Sequence, residues 1–300
     1  GILAVLNAAD GKPLWRKDFV TDFGAQFIGE TPNKEAVGAI RHGYNGQPVV
    51  DGDNLIVIAG GRSGASVVCL NKKTGAVIWK SESDGPGYAP AAVATILGVK
   101  QAVVFTADGC IGLDLKDGAL LWRVPIKTTW ARHVTTPVVV DDMVMVSSHE
   151  HGVFGIKVSK EGNAFKAEQT WLTKEAAINF SSPVSVGKHL FGLGPAKNLI
   201  CVDIATGKIA WSQTGYLNTG GGQAHVGLIV MGKNILCLTD GGELVLFEAN
   251  PAAFRQISRV QISGITWSNP AYADGKLYLR EGTGRKTAGS QLVCVELVKK

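Results

Sequence analysis

The ten-residue phrase LNAADGKPLW at residues 6–15 returns as LNKKTGAVIW at 70–79, LDLKDGALLW at 113–122 and VDIATGKIAW at 202–211. In each copy an aliphatic residue and Asn or Asp close one strand, and a tight turn ends in Gly11, Gly75, Gly118 or Gly207. A tryptophan, Trp15, Trp79, Trp122 or Trp211, lies four residues past that glycine on the following strand. Glycine supplies the positive φ that a short hairpin needs, and the Asp or Thr before it suits the turn. The indole can then bury a large flat surface against the neighbouring repeat.

The spacing of the phrase decides the architecture. From Gly75 to Gly118 is 43 residues, and from Gly118 to Gly207 is 89, about two such periods. A degenerate copy fills the interval at 159–171, where Gly162 is kept and the hairpin is expanded before Trp171. Periods of this length built only from strands indicate propeller blades. Further strands precede each phrase, as at 48–52, 55–58 and 67–70, so four short strands make one period. The fold class is therefore all-β, a β-propeller of four-stranded antiparallel blades at 45–82, 89–124, 136–173, 182–213, 224–260 and 269–298. The fifth blade has lost its tryptophan, since residues 244–247 lead into Asn250 and Pro251. The last has three strands, at 271–273, 277–280 and 292–297. Residues 2–6 and 13–19 read as the third and fourth strands of a half blade at 1–20. The ends therefore make either a shared, irregular seventh blade or part of a longer ring, and the well-formed phrase at 6–15 favours the second.

Composition fits one propeller domain over residues 1–300. Glycine is abundant, with 38 residues, and 45% of the chain is apolar, enough for a core made of blade interfaces. The one helical stretch expected is a short one at 174–178. No run approaches the ~18 apolar residues of a membrane span, and the first residues do not read as a signal sequence. The net charge of +5 is scattered. Lys72, Lys73, Lys299 and Lys300 read as solvated turn and tail residues, so nucleic acid is not the expected partner. Cys69, Cys201 and Cys294 occupy one strand position on three blades, too far apart for disulfides. With Cys110 and Cys237 they read as small buried hydrophobes. No CxxC or Cys/His spacing marks a zinc site.

The repeated D, G and W, together with NGQPVVDGDNLIVIAGG, ASVVCLNKKTGAVIWKS, VVFTADGCIGLDLKDGALLW and ELVLFEANPAAF, resemble the pyrroloquinoline quinone (PQQ)-like β-propeller repeat family. Within it the chain is similar to the BamB-like bacterial, non-enzymatic branch. That resemblance implies an eight-bladed ring lacking here its first blade and a half. It also implies an extracytoplasmic protein, periplasmic or associated with the outer membrane, reaching a membrane only through an absent amino-terminal segment or a partner.

Three functional classes follow. The favoured one is a scaffold or binding module for a protein, with a small ligand at the channel mouth as a further occupant. Loops from each outer strand to the next inner strand gather at one mouth of a propeller, and here they carry Arg41, His42, Tyr44, Asn45, Tyr88, Trp130, Arg132, His133, Asn179, Phe180, Gln223, His225, Trp267 and Asn269. Aromatic residues and arginine are what recognition surfaces use, with Trp130 and Arg132 as the expected anchors. The competing reading is that these residues fill the channel mouth and satisfy one another. Trp15, Trp79, Trp122, Trp171 and Trp211 are assigned to docking between blades.

The second class is a PQQ-dependent dehydrogenase holding PQQ with calcium. Dehydrogenases of the resembling family carry adjacent cysteines, a catalytic Asp and Glu/Asn calcium ligands, whereas no two cysteines are adjacent here and most Asp residues form turns. The expected cofactor is none. The third class is a metal enzyme using His42, His133 and His225, which needs all three nitrogens about 2 Å from one ion. The His149-Glu150-His151 tripeptide reads as a polar turn.

Overall fold

The computed structural model describes residues 1–25, 44–128, 131, 133–217, 224–282 and 291–297. The chain divides into two compact units, Gly1–Leu172 and Thr173–Lys300.

In the first unit, β1 (Ile2–Leu6) pairs with β2 (Pro13–Asp18), followed by helix α1 (Phe19–Phe23). Three four-stranded sheets come next. They are β3 (Val49–Asp51), β4 (Asn54–Gly61), β5 (Ala65–Asn71) and β6 (Val77–Ser81); β7 (Ala92–Ile96), β8 (Val99–Phe105), β9 (Gly109–Asp114) and β10 (Leu120–Pro125); and β11 (Val138–Val140), β12 (Met143–Ser148), β13 (Gly152–Glu161) and β14 (Ala164–Thr173). In the second unit, a 3-10 turn at Lys174–Ala176 leads to β15 (Val184–Val186), β16 (His189–Leu193), β17 (Leu199–Asp203) and β18 (Ile209–Gln213). A further four-stranded sheet holds β19 (Val226–Met231), β20 (Asn234–Thr239), β21 (Glu243–Glu248) and β22 (Gln256–Gln261). A three-stranded sheet holds β23 (Ala271–Ala273), β24 (Lys276–Arg280) and β25 (Leu292–Glu296). Among the described residues every pairing of these strands joins neighbours in sequence, and the ladders are antiparallel meanders.

The middle strands are mostly apolar because both faces of each sheet are covered. On one side of β4 and β5, Ile56, Ile58, Val67 and Cys69 meet Ala102, Val104, Ile111 and Leu113 of the next sheet. Leu55, Val57, Val68 and Leu70 on the other side meet Phe19 and Phe23. The second unit repeats the plan, with Phe191, Leu199 and Cys201 packed on Ile235, Cys237 and Phe247. Outer strands cover one face only, so β6 alternates exposed with buried.

The repeated phrase forms the expected hairpin, with Gly11, Gly75, Gly118 and Gly207 all near φ +70°. Its tryptophan docks on the next turn. Trp15 Nε1 donates to Lys72 O at 3.0 Å, Trp79 Nε1 to Leu115 O at 3.0 Å, and Trp211 Nε1 to Asn250 O at 2.8 Å. The ring lies so close that a Cβ on Gly75 would stand 2.8 Å from Trp15, and one on Gly118 2.6 Å from Trp79. Trp122 is buried between two sheets, but its indole donates within its own sheet, to Gln101 Oε1 at 2.7 Å. Trp171 likewise lies over Gly155 of its own sheet. In the fifth four-stranded sheet, Phe254 stands edge-on to Trp211 at 5.6 Å, in the hairpin whose tryptophan is missing.

Two expectations are corrected. Residue 19 does not extend the strand at 13–18. Asp18 Oδ1 accepts from Val20 N at 2.9 Å and caps α1, and Gly24 at φ 67° ends it. Cys294 is exposed, unlike the other four cysteines, because β25 lies at the edge of a three-stranded sheet and turns that side chain away from the Leu277 and Leu279 core.

Trp79→Ala should lower unfolding free energy by about 3–5 kcal/mol, because it removes a buried indole and strands the Leu115 carbonyl. Urea denaturation measures this. Gly118→Ala should also destabilise, through both its positive φ and the 2.6 Å approach of Trp79, whereas Gly64→Ala meets open space and bears the φ penalty alone.

Candidate functional site

The loops after each outer strand fall into two groups. In the first unit the described residues of these loops are engaged in packing and hydrogen bonds. Tyr88 N and Ala89 N both donate to His133 O, at 2.8 and 3.0 Å, while Gly85 N reaches Asp108 Oδ2 at 2.9 Å and Ala107 N reaches Gly85 O at 3.0 Å. Gly87 passes so near the Phe105 carbonyl that a Cβ would lie 2.1 Å from it, which requires glycine. Tyr88 is buried at 6% exposure and His133 at 0%.

The His133 ring stacks on Phe105 at 3.9 Å and 5°. A carbonyl only accepts, so Nδ1 carries the proton that is donated to Thr106 O, and Nε2 accepts from Thr128 Oγ1 at 3.1 Å. Both nitrogens are occupied, so the ring has no lone pair left for a metal. Burial depresses its pKa to about 4, opposed by the Thr106 hydrogen bond. Beside this loop, Arg123 bridges Glu82 and Asp84 at 2.7 Å each, and Thr106 Oγ1 donates to Asp84 at 2.6 Å. Tyr44 is half-buried, edge-on to Phe19 at 5.5 Å, and Asn45 is exposed.

The second unit leaves aromatic surface open. Thr266 is buried, its N donating to Asp240 O at 3.0 Å and its Oγ1 to Arg280 O at 2.8 Å. Its neighbours in sequence point the other way, so Ile265 is 52% and Trp267 41% exposed. Phe180, half-buried, stands 5.8 Å from the Trp267 ring, and His225 lies 6.2 Å from it on the other contact. His225 is buried and its pKa is depressed to about 4 by desolvation. Ser181 Oγ accepts from Val226 N at 2.8 Å and ties the Phe180 loop to the strand after His225. Asn269 is exposed and Asn179 half-buried.

Of the rim residues named from the sequence, the structure thus brings together Phe180, His225 and Trp267. It packs Tyr88 and His133 into loop interiors and Tyr44 against α1. Arg41, His42, Trp130, Arg132 and Gln223 lie outside the described residues. Ile265 is neither polar nor aromatic and so was not among the residues named from the sequence; the Ile-Thr-Trp alternation was its signal. The His149-Glu150-His151 segment is the turn between β12 and β13, with Glu150 at φ 63° and 3.2 Å from His149. Burial pushes the Cys69 thiol up to about 11 and those of Cys201 and Cys237 to about 12, so none is a ready nucleophile. No cluster of metal-ligating side chains occurs among the described residues, and no helix among them is long and apolar enough to cross a membrane.

The family model described as outer membrane protein assembly factor BamB matches residues 1–213. The chain belongs to the BamB family. The outer membrane protein assembly factor BamB of Moranella endobia is 27% identical over 222 residues, which is 71% of this chain and 53% of that protein. The chain thus spans about half the length of this curated relative. Among solved structures, BamB from Moraxella catarrhalis superposes with a TM-score of 0.54 at 15% identity, covering 93% of this chain and 88% of that one. The computationally designed Ika8 protein gives 0.50 at 10% identity, covering 93% and 87%. With the sheet order above, these place the chain in the all-β class of PQQ-like repeat propellers.

The two buried histidines set a pH dependence. Each has an unfolded pKa of 6.5 and a folded value of about 4, so the unfolded state binds protons first as pH falls. Stability should be fully present above pH 6.5 and decline down to pH 4. A His133→Gln variant should show a shallower decline in urea midpoint over that window.

Proposed function

We propose that residues 1–300 act as one non-enzymatic, protein-binding module serving outer membrane protein assembly, outside the cytoplasm, in the periplasm or at the outer membrane. Membership of the BamB family and the name of the Moranella endobia relative, an outer membrane protein assembly factor, support the assembly setting. The binding reading rests chiefly on Trp267, 41% exposed although its neighbour Thr266 is buried and pinned by four hydrogen bonds. A large aromatic held rigidly at a surface contributes contact area at low entropic cost, which is how interface anchors work. Phe180 supports its ring, and Ile265 adds apolar area on the same segment. Asn179, His225 and Asn269 belong to the same loops and serve as its polar surround. Gln223, two residues before His225 in the same unit, is a proposed further member of this surface. No cofactor is needed for binding of this kind, and PQQ with calcium has no role in it.

A photo-cross-linking amino acid at position 267 should capture a component or client of the outer membrane assembly machinery in bacterial envelopes, while the same probe at exposed Leu120 should not. Equal capture at both positions would sink the proposal. In parallel, Trp267→Ala should weaken that complex by about 2 kcal/mol and leave the melting temperature unchanged.

A further inference from the structure

The outer strand β14 is unlike its counterparts. It runs for ten residues, where β6, β10, β18 and β22 run for five or six. It ends its sheet, and no strand among the described residues pairs with its outer edge. The preceding strands explain its length. β12 covers β13 only from Gly152 to Lys157, so residues 158–161 and the start of β14 run on past β12 as a two-stranded ribbon that turns at Gly162. The result is an edge about 33 Å long with a row of outward N–H and C=O groups.

Proteins blunt such edges with charge, lysine above all, because like charges repel a second copy. The other outer strands of the four-stranded sheets conform: Lys80, Arg123 and Arg259 are the sole charged residues of β6, β10 and β22, and β18 has none. β14 instead carries two exposed charges of opposite sign, Lys166 and Glu168. Two residues apart, they share one face of the strand. Phe165 and Ala167 occupy the other face and pack on the core that holds Trp122 and Val158.

This pattern is self-complementary about Ala167. When two copies of β14 pair antiparallel around a two-fold axis at that residue, Lys166 of each copy stands opposite Glu168 of the other, and Phe165 stands opposite Gln169. Ala167 meets its own counterpart without steric conflict. A two-fold axis at Lys166 or at Glu168 would set like charges face to face, so the charges select the register as well as the partner. Lys166 already touches Glu161 at 2.7 Å, but that pair is exposed and contributes little, which leaves the ammonium able to engage a second carboxylate.

We propose that β14 is the contact of an isologous dimer, in which two copies of this chain join edge to edge and make one continuous sheet from two four-stranded ones. Because the axis lies towards the ribbon end of the strand, the second copy is displaced along the strand beyond the Gly162 turn, and the bodies of the two copies stay apart. This surface is separate from Trp267 and does not depend on the role proposed for that residue.

Sedimentation equilibrium of the full chain, from micromolar to millimolar concentration, should show reversible dimerisation. Glu168→Lys and Lys166→Glu should each raise the dissociation constant about tenfold, since each turns two attractive pairs into two repulsive ones. Combining both substitutions should restore wild-type affinity, and an equimolar mixture of the two single variants should form a heterodimer, neither of which a merely structural defect would produce. In a Cys294→Ser background, which removes the exposed native thiol, Ala167→Cys should give a covalent dimer under a mild thiol oxidant. Residues facing each other across antiparallel strands stand about 4.5–5.5 Å apart at Cα, within disulfide reach. Gln169→Cys, whose mate in the second copy lies well along the strand, should not cross-link. The proposal is overturned by a monomer at every concentration, by a dissociation constant that neither charge reversal moves, or by equal cross-linking at positions 167 and 169. Both charged positions are exposed, so their variants keep the test intact should Ala167→Cys fail to fold.

Discussion

The contact between an indole and a turn glycine sets the terms for the rest of the molecule. A meander of four strands can close its own ladders but cannot hide its two apolar faces, so each sheet is stable only against a neighbour. Van der Waals packing between sheets is non-directional. The indole adds direction, since its N–H must find the carbonyl of Lys72, Leu115 or Asn250, and the faces of Trp15 and Trp79 lie on Gly75 and Gly118, which have no side chain in the way. The glycine thus has two duties, the positive φ of its own hairpin and the flat seat for the neighbouring ring.

That double duty explains what was legible in the sequence. Four copies of one phrase located the outer hairpins, and continuous apolar runs such as residues 55–59 located the two-sided middle strands. The short α1 was missed because Asp18 reads equally as a strand end and as a cap, and only the packing of Phe19 and Phe23 on β4 and β5 decides between them. The different hydrogen-bond partner of Trp122 was also hidden. It depends on Gln101, which in sequence is an unremarkable residue near a strand start.

The candidate site was legible by residue type and not by orientation. Tyr88, His133, His225 and Trp267 all fall in loops of the same kind, yet backbone bonds turn the first two inward, His225 is buried beside the Ser181–Val226 bond, and Thr266 turns the last outward. Whether a loop aromatic faces water depends on the parity of the residue that the backbone pins. Parity of that kind follows from tertiary hydrogen bonds, which composition does not report.

The strictly sequential order of strands within every sheet has a kinetic consequence. Ladders between consecutive strands close short loops, so each sheet can form from local contacts before any long-range partner is found, and contact order within a sheet is low. The slow and cooperative step is then the mating of finished sheets. The tryptophan contacts belong to that step and govern how tightly successive sheets unfold together. A chain weakened at one glycine seat should therefore lose cooperativity there first, as neighbouring-unit models of repeat proteins require, while its individual meanders persist.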